Sequence, residues 1–239
     1  AFLLAANIEP PSKIFSHGWI LSGDEKMSKS KGNILKPLEI IDKYGIDELR
    51  YYLMKEVSHG SDGNISLKNL ESCINSDLAN NFGNLCQRVT AFVDKNCEGK
   101  IPENILFEKD DLKILNRYSD NLDIIRNNID KQNINFYVDF IINSLFEANK
   151  YFNDQEPWKK KENQLRLNSI VFTTLEIIRK ICYLLYPIIP DSSLKALKIF
   201  DISENQIDLS SIANHNFLNK GNDIKKINIL FKKIIKEND

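Results

Sequence analysis

One segment near the N-terminus carries the residue types that bind anions. It reads Lys26-Met27-Ser28-Lys29-Ser30-Lys31-Gly32-Asn33, with three ammonium groups, two hydroxyls and a Gly that lets the backbone bend close to a ligand. Ammonium groups on flexible stems can follow negative charge as it moves onto a leaving pyrophosphate. The segment predicts a phosphate-binding loop, and composition alone leaves a solvated, lysine-rich surface loop open as the alternative.

The elements around this segment are a short hairpin and two helices. Residues 14–23 read as two short strands around a Gly, and they are the only β structure that the pattern predicts. From Pro37 onward apolar residues recur at helical spacing, and Gly45 is expected to end the first helix. Residues 57–64 predict a loop, after which Ser66 is expected to cap the next helix.

The rest of the chain predicts an antiparallel helical bundle. Long amphipathic patterns cover residues 66–96, 109–130, 133–152 and 162–186, with Pro187 and Pro190 closing the last one. Short connections and the lack of alternating strands favour a bundle over about residues 70–200. Residues 201–222 predict a surface loop, and residues 224–235 predict a short amphipathic C-terminal helix with lysines on its outer face.

The composition limits the kinds of partner and site. Lys+Arg 32 against Asp+Glu 33 gives a formal charge of -1, so any polyanion site must be a local feature rather than a bulk positive field. No apolar run is long enough for a transmembrane helix. No cluster of metal ligands is visible, and the four cysteines form no C-x-x-C, which favours reduced core thiols in a cytoplasmic protein. Those cysteines are Cys73, Cys86, Cys97 and Cys182.

Two places in the helical half have residue types suited to RNA. Asn84 and Arg88 stand four residues apart on one helix, where an amide and a guanidinium can reach base edges or phosphates. Pro157 and Trp158 are followed by three lysines, and an indole there could stack on an unpaired base. The alternatives from composition are a solvated face for Asn84 and Arg88, and a packing anchor for Trp158.

The order of the motifs resembles one family. Residues 26–30 spell K-M-S-K-S, similar to the signature loop of class I aminoacyl-tRNA synthetases. His17-Gly18-Trp19 upstream, Lys31-Gly32-Asn33 and residues 44–53 downstream, and residues 76–85 resemble the methionyl-tRNA synthetases among them. Asn84-Leu85-Cys86-Gln87-Arg88 and Pro157-Trp158 are similar to that family's anticodon-binding bundle. The resemblance covers nearly the whole chain.

The resemblance implies a methionine–tRNA ligase that uses ATP with Mg²⁺ to form methionyl-adenylate and then charges tRNA(Met). Lys29 would bind pyrophosphate, supported by Lys26, Ser28 and Ser30, with Met27 at the base of the loop. The ATP site would also take in His17, Gly18 and Trp19. On the tRNA side, Asn84, Arg88, Pro157 and Trp158 would recognise the anticodon, with Trp158 stacking on its first base.

The resemblance also implies the fold class and the domains. The fold is mainly α, with residues 1–22 as the end of a Rossmann-like domain, residues 23–69 as the K-M-S-K-S loop with its stem-contact helices, and residues 70–239 as the anticodon-binding bundle with its C-terminal helix. No H-I-G-H segment is present, so the chain is expected to be a C-terminal fragment that is inactive alone. It is also expected to be a monomer. The alternatives are a class I synthetase for Val, Ile, Leu or Cys, and a non-catalytic tRNA-binding module.

Overall fold

The computed structural model describes residues 1–22, 25–28, 34–58 and 60–235, and these are mainly α-helical with one small sheet. The N-terminal elements are α1 (Phe2–Ala5), β1 (Ile20–Ser22), β2 (Glu25–Lys26), α2 (Pro37–Tyr44), α3 (Ile46–Glu56) and β3 (Gly63–Asn64). The bundle contains α4 (Leu67–Cys73), a π-helical segment (Ile74–Gly83), α5 (Asn84–Asn96), α6 (Lys109–Asp120), α7 (Leu122–Asp130), α8 (Ile134–Asp154), α9 (Gln164–Leu185) and α10 (Pro190–Leu197).

The small sheet differs from the predicted hairpin. Its order is β2-β1-β3, with β1 antiparallel to β2 and parallel to β3. The first strand begins only at Ile20, and the third strand comes from residues 57–64, which the sequence pattern predicted as a loop. A parallel partner that is distant along the chain leaves no local signal, so periodicity could not reveal β3.

The two helices after the loop are those that the sequence predicts. Pro37 occupies the first turn of α2, and Gly45, at a φ of 113°, separates α2 from α3. Helix α3 is tied to the end of α9, because Arg50 donates from Nε to the Ile188 carbonyl at 2.7 Å. It also caps α10, since Asp47 Oδ2 accepts the Ser192 backbone N–H at 2.6 Å. These bonds fix α3 against the bundle.

The long pattern over residues 66–96 forms one continuous helix that changes type in its middle. Ser66 caps it by accepting the Asn69 N–H at 3.1 Å, as predicted. Residues Ile74–Gly83 are π-helical and lead directly into α5, which begins at Asn84. The sequence did not predict this change. Because π-helical stretches are rare and occur mostly at functional sites, the one before Asn84 directs attention to the start of α5.

The remaining helices confirm the bundle with two local differences. The pattern over residues 109–130 is divided at Asn121 into α6 and α7. Pro190, predicted to stop a helix, is also the first residue of α10, where a missing N–H costs nothing. Helix α9 is buried on almost every face and forms the centre of the core. None of the helices in the described residues has the length and apolarity needed to cross a membrane.

The predicted C-terminal helix is wrong for residues 224–235, which form neither a helix nor a strand and lie against α5 and the π-helical segment. We call residues 224–235 the C-terminal strap. Its backbone is bonded to neighbours rather than to itself: Ile224 N–H donates to the Gly99 carbonyl at 2.7 Å. Asn75 then exchanges two hydrogen bonds with the backbone of Ile234, at 2.9 and 2.8 Å. With Phe231 buried against Phe82, these outside partners replace the helical pattern.

The surface loop over residues 201–222 is held by a buried charged cluster on α9. Glu176, Arg179 and Lys180 are fully buried, and Lys180 donates to the carbonyls of Ile212 and Asn214. Burial, with a smaller contribution from the neighbouring Arg179 charge, lowers the pKa of Lys180 to about 7. The loop over residues 201–222 is therefore hydrogen-bonded to charged side chains in the core. The sequence pattern predicted only an apolar helix for the segment that carries them.

The four cysteines are free thiols, as the sequence predicts. Cys73, Cys86 and Cys182 are buried, and Cys97 is half-buried. Burial raises the pKa of Cys73 and of Cys97 to about 11. These thiols are protonated packing groups rather than nucleophiles at neutral pH.

Candidate functional site

The predicted phosphate loop begins at the small sheet. Lys26 lies in β2, and its Nζ is 3.9 Å from the centroid of the Trp19 ring. Met27 is half-buried against the core, in keeping with a residue at the base of a loop. Ser28 is half-buried. Lys29 and Ser30 lie outside the described residues.

The segment His17-Gly18-Trp19 is locked beside β3. A Cβ atom on Gly18 would lie 2.2 Å from the backbone of Ser61, so only Gly allows this close approach. Trp19 is fixed on both backbone sides: its N–H donates to Asp62 Oδ1 at 2.6 Å, and its carbonyl accepts the Gly63 N–H at 2.8 Å. The Trp19 ring is 62% exposed. An anchored backbone thus presents an aromatic face to the Lys26 ammonium.

His17 is exposed and has a different environment from Trp19. Its Nδ1 donates to the Gly18 carbonyl at 2.9 Å, and the residue borders a cavity of about 260 Å³ that is largely apolar. Leu53 and Met54 of α3 line the other side of this cavity. The structure therefore brings Lys26 and Trp19 into contact, and it places His17 at the neighbouring cavity.

The second group of predicted residues meets where α5 packs against α8. Asn84 is exposed at the first position of α5, and Arg88 is half-buried one turn later. The Arg88 guanidinium lies 5.0 Å from the centroid of the Phe152 ring on α8. The Trp158 ring is edge-on to the same Phe152, with centroids 6.2 Å apart. Phe152 thus joins Arg88 to Trp158, which are 70 residues apart in the sequence.

The Arg88 side chain has hydrogen-bonding capacity to spare. Its Nε and one terminal nitrogen, Nη2, are buried and have no hydrogen-bond partner among the described residues. Burial lowers the pKa of Arg88, while a guanidinium stays protonated at neutral pH. Unpaired buried donors are costly, so these two nitrogens can take an acceptor that lies outside the described residues, such as ordered water or a ligand.

Trp158 stands on a tight turn between α8 and α9. Glu156 adopts a left-handed conformation at a φ of 46°, and Pro157 is buried and begins a short 3₁₀ turn. Trp158 is 42% exposed, and its ring packs in a T-shaped arrangement with that of Phe152. Of the three lysines that follow, Lys159 pairs with Glu156 at 2.7 Å. The exposed indole is available for stacking on a base.

Sequence reasoning missed the residues that support these side chains. Phe152 belongs to the apolar face predicted for residues 133–152, and nothing in its spacing sets it apart from core residues. Asn149, one turn earlier, donates to Asn81 Oδ1 at 2.7 Å and so ties α8 to the π-helical segment just before Asn84. The Asn81 amide nitrogen is buried without a partner among the described residues. An isolated Asn carries no signal of this kind in a sequence.

A polar junction connects α3 with the π-helical segment. Asp77 Oδ2 accepts from Tyr51 at 2.8 Å and from Lys55 at 2.7 Å. Burial alone would lower the pKa of Lys55, but the bond to Asp77 and its charge outweigh burial, so the pKa is raised. Helix α3 is thereby fixed to the continuous helix that carries Asn84 and Arg88.

No group of three or more His, Cys, Asp or Glu side chains that could hold a metal ion occurs within the described part of the chain. Both sites instead combine cationic and aromatic side chains: Lys26 with Trp19, and Arg88 with Phe152 and Trp158. Such pairs are suited to phosphates and nucleobases.

Comparisons with known proteins match two family models to the chain. A family model described as the anticodon binding domain of methionyl tRNA ligase matches residues 101–239, and one described as tRNA synthetases class I (M) matches residues 1–90. The methionine–tRNA ligase of Brucella suis is 37% identical over 213 residues, covering 89% of this chain and 41% of its own length. That of Rickettsia felis is 37% identical over 238 residues, covering 97% and 46%.

A solved structure shows the same fold. The methionyl-tRNA synthetase of Mycobacterium tuberculosis, in complex with methionyl-adenylate, superposes with a TM-score of 0.88 at 34% identity, over 96% of this chain and 46% of that one. The chain spans less than half the length of these relatives.

Proposed function

The chain belongs to the methionyl-tRNA synthetase family, and we propose that it supplies two parts of a methionine–tRNA ligase. One part is the ATP-phosphate loop, and the other is the anticodon-reading bundle. The reaction joins methionine to ATP as methionyl-adenylate, with release of pyrophosphate, and then transfers the methionyl group to tRNA(Met). Family membership disfavours the alternative of a synthetase for Val, Ile, Leu or Cys.

The observation that carries the anticodon half is the cluster of Arg88, Phe152 and Trp158. It offers an exposed indole face and two unpaired guanidinium nitrogens on neighbouring helices. Single-stranded RNA is read by stacking of unpaired bases on aromatic side chains and by hydrogen bonds to base edges. We propose that Trp158 stacks on the first anticodon base, that Arg88 and Asn84 hydrogen-bond to base edges or phosphate, and that Pro157 fixes the turn.

The proposal for the phosphate loop rests on Lys26 and its setting. Its ammonium lies 3.9 Å from the centroid of the Trp19 ring, and a cation–π contact at an exposed site contributes only about 0.5–1 kcal/mol. Lys26 can leave that contact when a triphosphate arrives. Lys29 is proposed as the main pyrophosphate ligand, with Ser28 and Ser30 as hydroxyl donors, Met27 as packing, and His17, Gly18 and Trp19 at the edge of the nucleotide site.

Mg²⁺ is proposed to arrive with ATP. The described residues provide no cluster of ligands for the ion, so phosphate oxygens would hold it, which is common for Mg²⁺ in nucleotide sites. The chain alone is proposed to form no adenylate. ATP–pyrophosphate exchange by the isolated chain would contradict that part of the proposal.

Binding to anticodon stem-loops tests the RNA half. Affinity for a stem-loop with the anticodon CAU is compared, at one fixed salt concentration, with affinity for a stem-loop whose first anticodon base is changed. We expect the CAU stem-loop to bind more tightly. Trp158→Ala should weaken CAU binding by about 5- to 150-fold, the range that corresponds to one base–aromatic stack.

The chain contains one matched control for this experiment. Trp19 is the other of the two Trp residues, is also exposed, and belongs to the nucleotide half. Trp19→Ala should leave the preference for CAU unchanged. Equal binding of both stem-loops by a folded wild-type chain, or equal losses from Trp19→Ala and Trp158→Ala, would contradict the proposed anticodon site.

Pyrophosphate binding tests the other half separately. Calorimetric titration of the chain with pyrophosphate should give a salt-sensitive association that weakens in both Lys29→Met and Lys26→Met. Lys113→Met, on α6 in the bundle, serves as the charge-matched control and should leave pyrophosphate affinity unchanged. If both Lys29→Met and Lys26→Met bound pyrophosphate as tightly as the wild type, the proposed phosphate-binding role of the loop would be contradicted.

A further inference from the structure

The turn that carries Trp158 has an unfavourable backbone conformation. Glu156, two residues before Trp158, has φ 46° and ψ 57°, a left-handed geometry that non-glycine residues seldom adopt. Such conformations persist where surrounding contacts over-determine them. Pro157 is buried and the Lys159 N–H donates to the Glu156 carbonyl at 2.9 Å, but both contacts lie after the left-handed residue.

Before the left-handed residue, the Gln155 and Glu156 N–H groups donate to the Tyr151 and Asn153 carbonyls at 2.9 and 3.2 Å, which continue α8. The Gln155 side chain adds a contact that reaches α9. Its side-chain carbonyl Oε1 accepts a hydrogen bond from Arg166 Nη2 at 2.6 Å. Gln155 is half-buried and follows the last residue of α8, while Arg166 lies in the first turn of α9. This bond therefore joins the two helices across the turn that holds Trp158.

Arg166 is itself immobile. Its Nη1 and Nη2 donate to the two oxygens of Asp111 at 2.6 and 3.0 Å, and the Asp111 side chain is fully buried. Tyr151 of α8 also donates to Asp111. A bidentate guanidinium–carboxylate pair fixes both the position and the plane of the guanidinium. The third bond, to Gln155, therefore extends from a rigid point in the core to the start of the turn.

We propose that Gln155 is a positioning residue for Trp158 and that the buried Asp111–Arg166 pair acts through it. The inference rests on the proposed anticodon function and adds residues that act on the stacking platform without touching RNA themselves. With Gln155 held, the left-handed Glu156 and the buried Pro157 direct the indole against the edge of Phe152, where its exposed face is preorganised for a base. Preorganisation raises affinity because less ordering is needed on binding.

A double-mutant cycle between Gln155 and Trp158 tests the inference. The measured quantity is the ratio of dissociation constants for the changed stem-loop and the CAU stem-loop, in which non-specific electrostatic changes cancel. Gln155→Met removes the acceptor and should reduce this ratio about fivefold, less than the loss of the indole itself. Gln155→Glu keeps an oxygen for Arg166 and should retain the ratio within about twofold. In a Trp158→Ala background, Gln155→Met should cause no further reduction.

Folding is controlled in the same samples. In Gln155→Met, Arg166 keeps both bonds to Asp111, so no buried charge loses its partner, and the urea midpoint should stay close to that of the wild type. An unchanged ratio in Gln155→Met overturns the inference, and so does an equal reduction with and without Trp158. If Trp158→Ala itself leaves the ratio unchanged, the proposed function fails, and the inference that rests on it fails too.

Discussion

Asp77→Asn should lower the free energy of unfolding by about 1–2 kcal/mol, because Asp77 is the shared acceptor at the junction of α3 with the π-helical segment. Its side chain is 6% exposed, and it accepts from the fully buried Tyr51 and from Lys55. The substitution keeps the shape and one side-chain oxygen while it removes the charge. It therefore isolates the electrostatic part of the junction.

Ser76 also donates to Asp77 Oδ1 at 2.7 Å, and the magnitude follows from the two hydrogen bonds that Oδ2 accepts. A bond to a charged group contributes about 1.5–3 kcal/mol and a neutral one about 0.5–1.5 kcal/mol, so neutralising the acceptor removes about 1 kcal/mol from the Tyr51 bond. The Lys55 side chain is 25% exposed, so water compensates much of its loss. Asp77→Ala should cost more, about 2–4 kcal/mol, because the buried Tyr51 hydroxyl then has no acceptor.

Urea unfolding followed by far-ultraviolet circular dichroism measures both variants. Glu39→Gln is the matched control, since Lys36 and Glu39 are 2.6 Å apart, close to the 2.7 Å of Lys55 and Asp77, but have side chains about two-thirds exposed. Glu39→Gln should leave the free energy of unfolding unchanged within error, because exposed ion pairs usually contribute little to stability. Equal effects of Asp77→Asn and Glu39→Gln would refute the assignment of Asp77 as a buried structural acceptor.

Three further predictions concern other parts of the fold. Because the pKa of Lys180 is about 7 in the folded chain and near 10.5 when unfolded, the unfolded state binds more protons between these values, and stability should rise with pH in that window. Relative to Lys180→Met, the wild type should gain about 2 kcal/mol from pH 7 to pH 9, and parallel pH profiles would contradict this. Gly18→Ala should separate β1 from β3, seen as faster amide exchange at Gly63, because its Cβ would overlap the Ser61 backbone; unchanged exchange there would argue against the close approach. Asn75→Ala should speed amide exchange across the C-terminal strap while leaving α9 protected, and uniform protection would show that the strap does not depend on Asn75.

Helical periodicity was sufficient to predict most of the fold. From Pro37 onward the apolar spacing placed α2, α3 and the long bundle helices, and the cap at Ser66 and the Gly45 boundary were confirmed. These features depend on neighbours within a few residues, which a sequence shows directly. The family resemblance added the order of the parts, and the matching family models confirmed it.

The missed features depend on contacts that are distant in the sequence. The strand β3 pairs with β1 where Gly18 allows the chain to approach Ser61, and the C-terminal strap is non-helical because Gly99 and Asn75 bind its backbone. The lysine and isoleucine spacing of the strap also fits a helix, so its pattern alone could not decide. Hydrogen bonds to Gly99 and Asn75, which are distant in the sequence, favour the non-helical conformation of the strap.

The candidate sites also combine features that the sequence predicts with features that depend on distant contacts. Arg88 and Trp158 are predicted as site residues from residue type and resemblance, yet the sequence could not show that Phe152 lies between them. The supporting bond from Arg166 to Gln155 joins two ordinary polar residues whose types suggest a solvated surface. Positioning residues of this kind become visible only when burial and partner geometry are known.

Base stacking on Trp158 can be followed by the fluorescence of that residue. Trp19→Phe leaves Trp158 as the single Trp in the chain, so its emission reports only the proposed anticodon platform. At fixed salt, a CAU stem-loop should quench this emission as it binds, and a stem-loop with a changed first anticodon base should quench it much less at equal occupancy. If calorimetry showed tight binding of the CAU stem-loop while Trp158 emission stayed unchanged, base stacking on Trp158 would be contradicted.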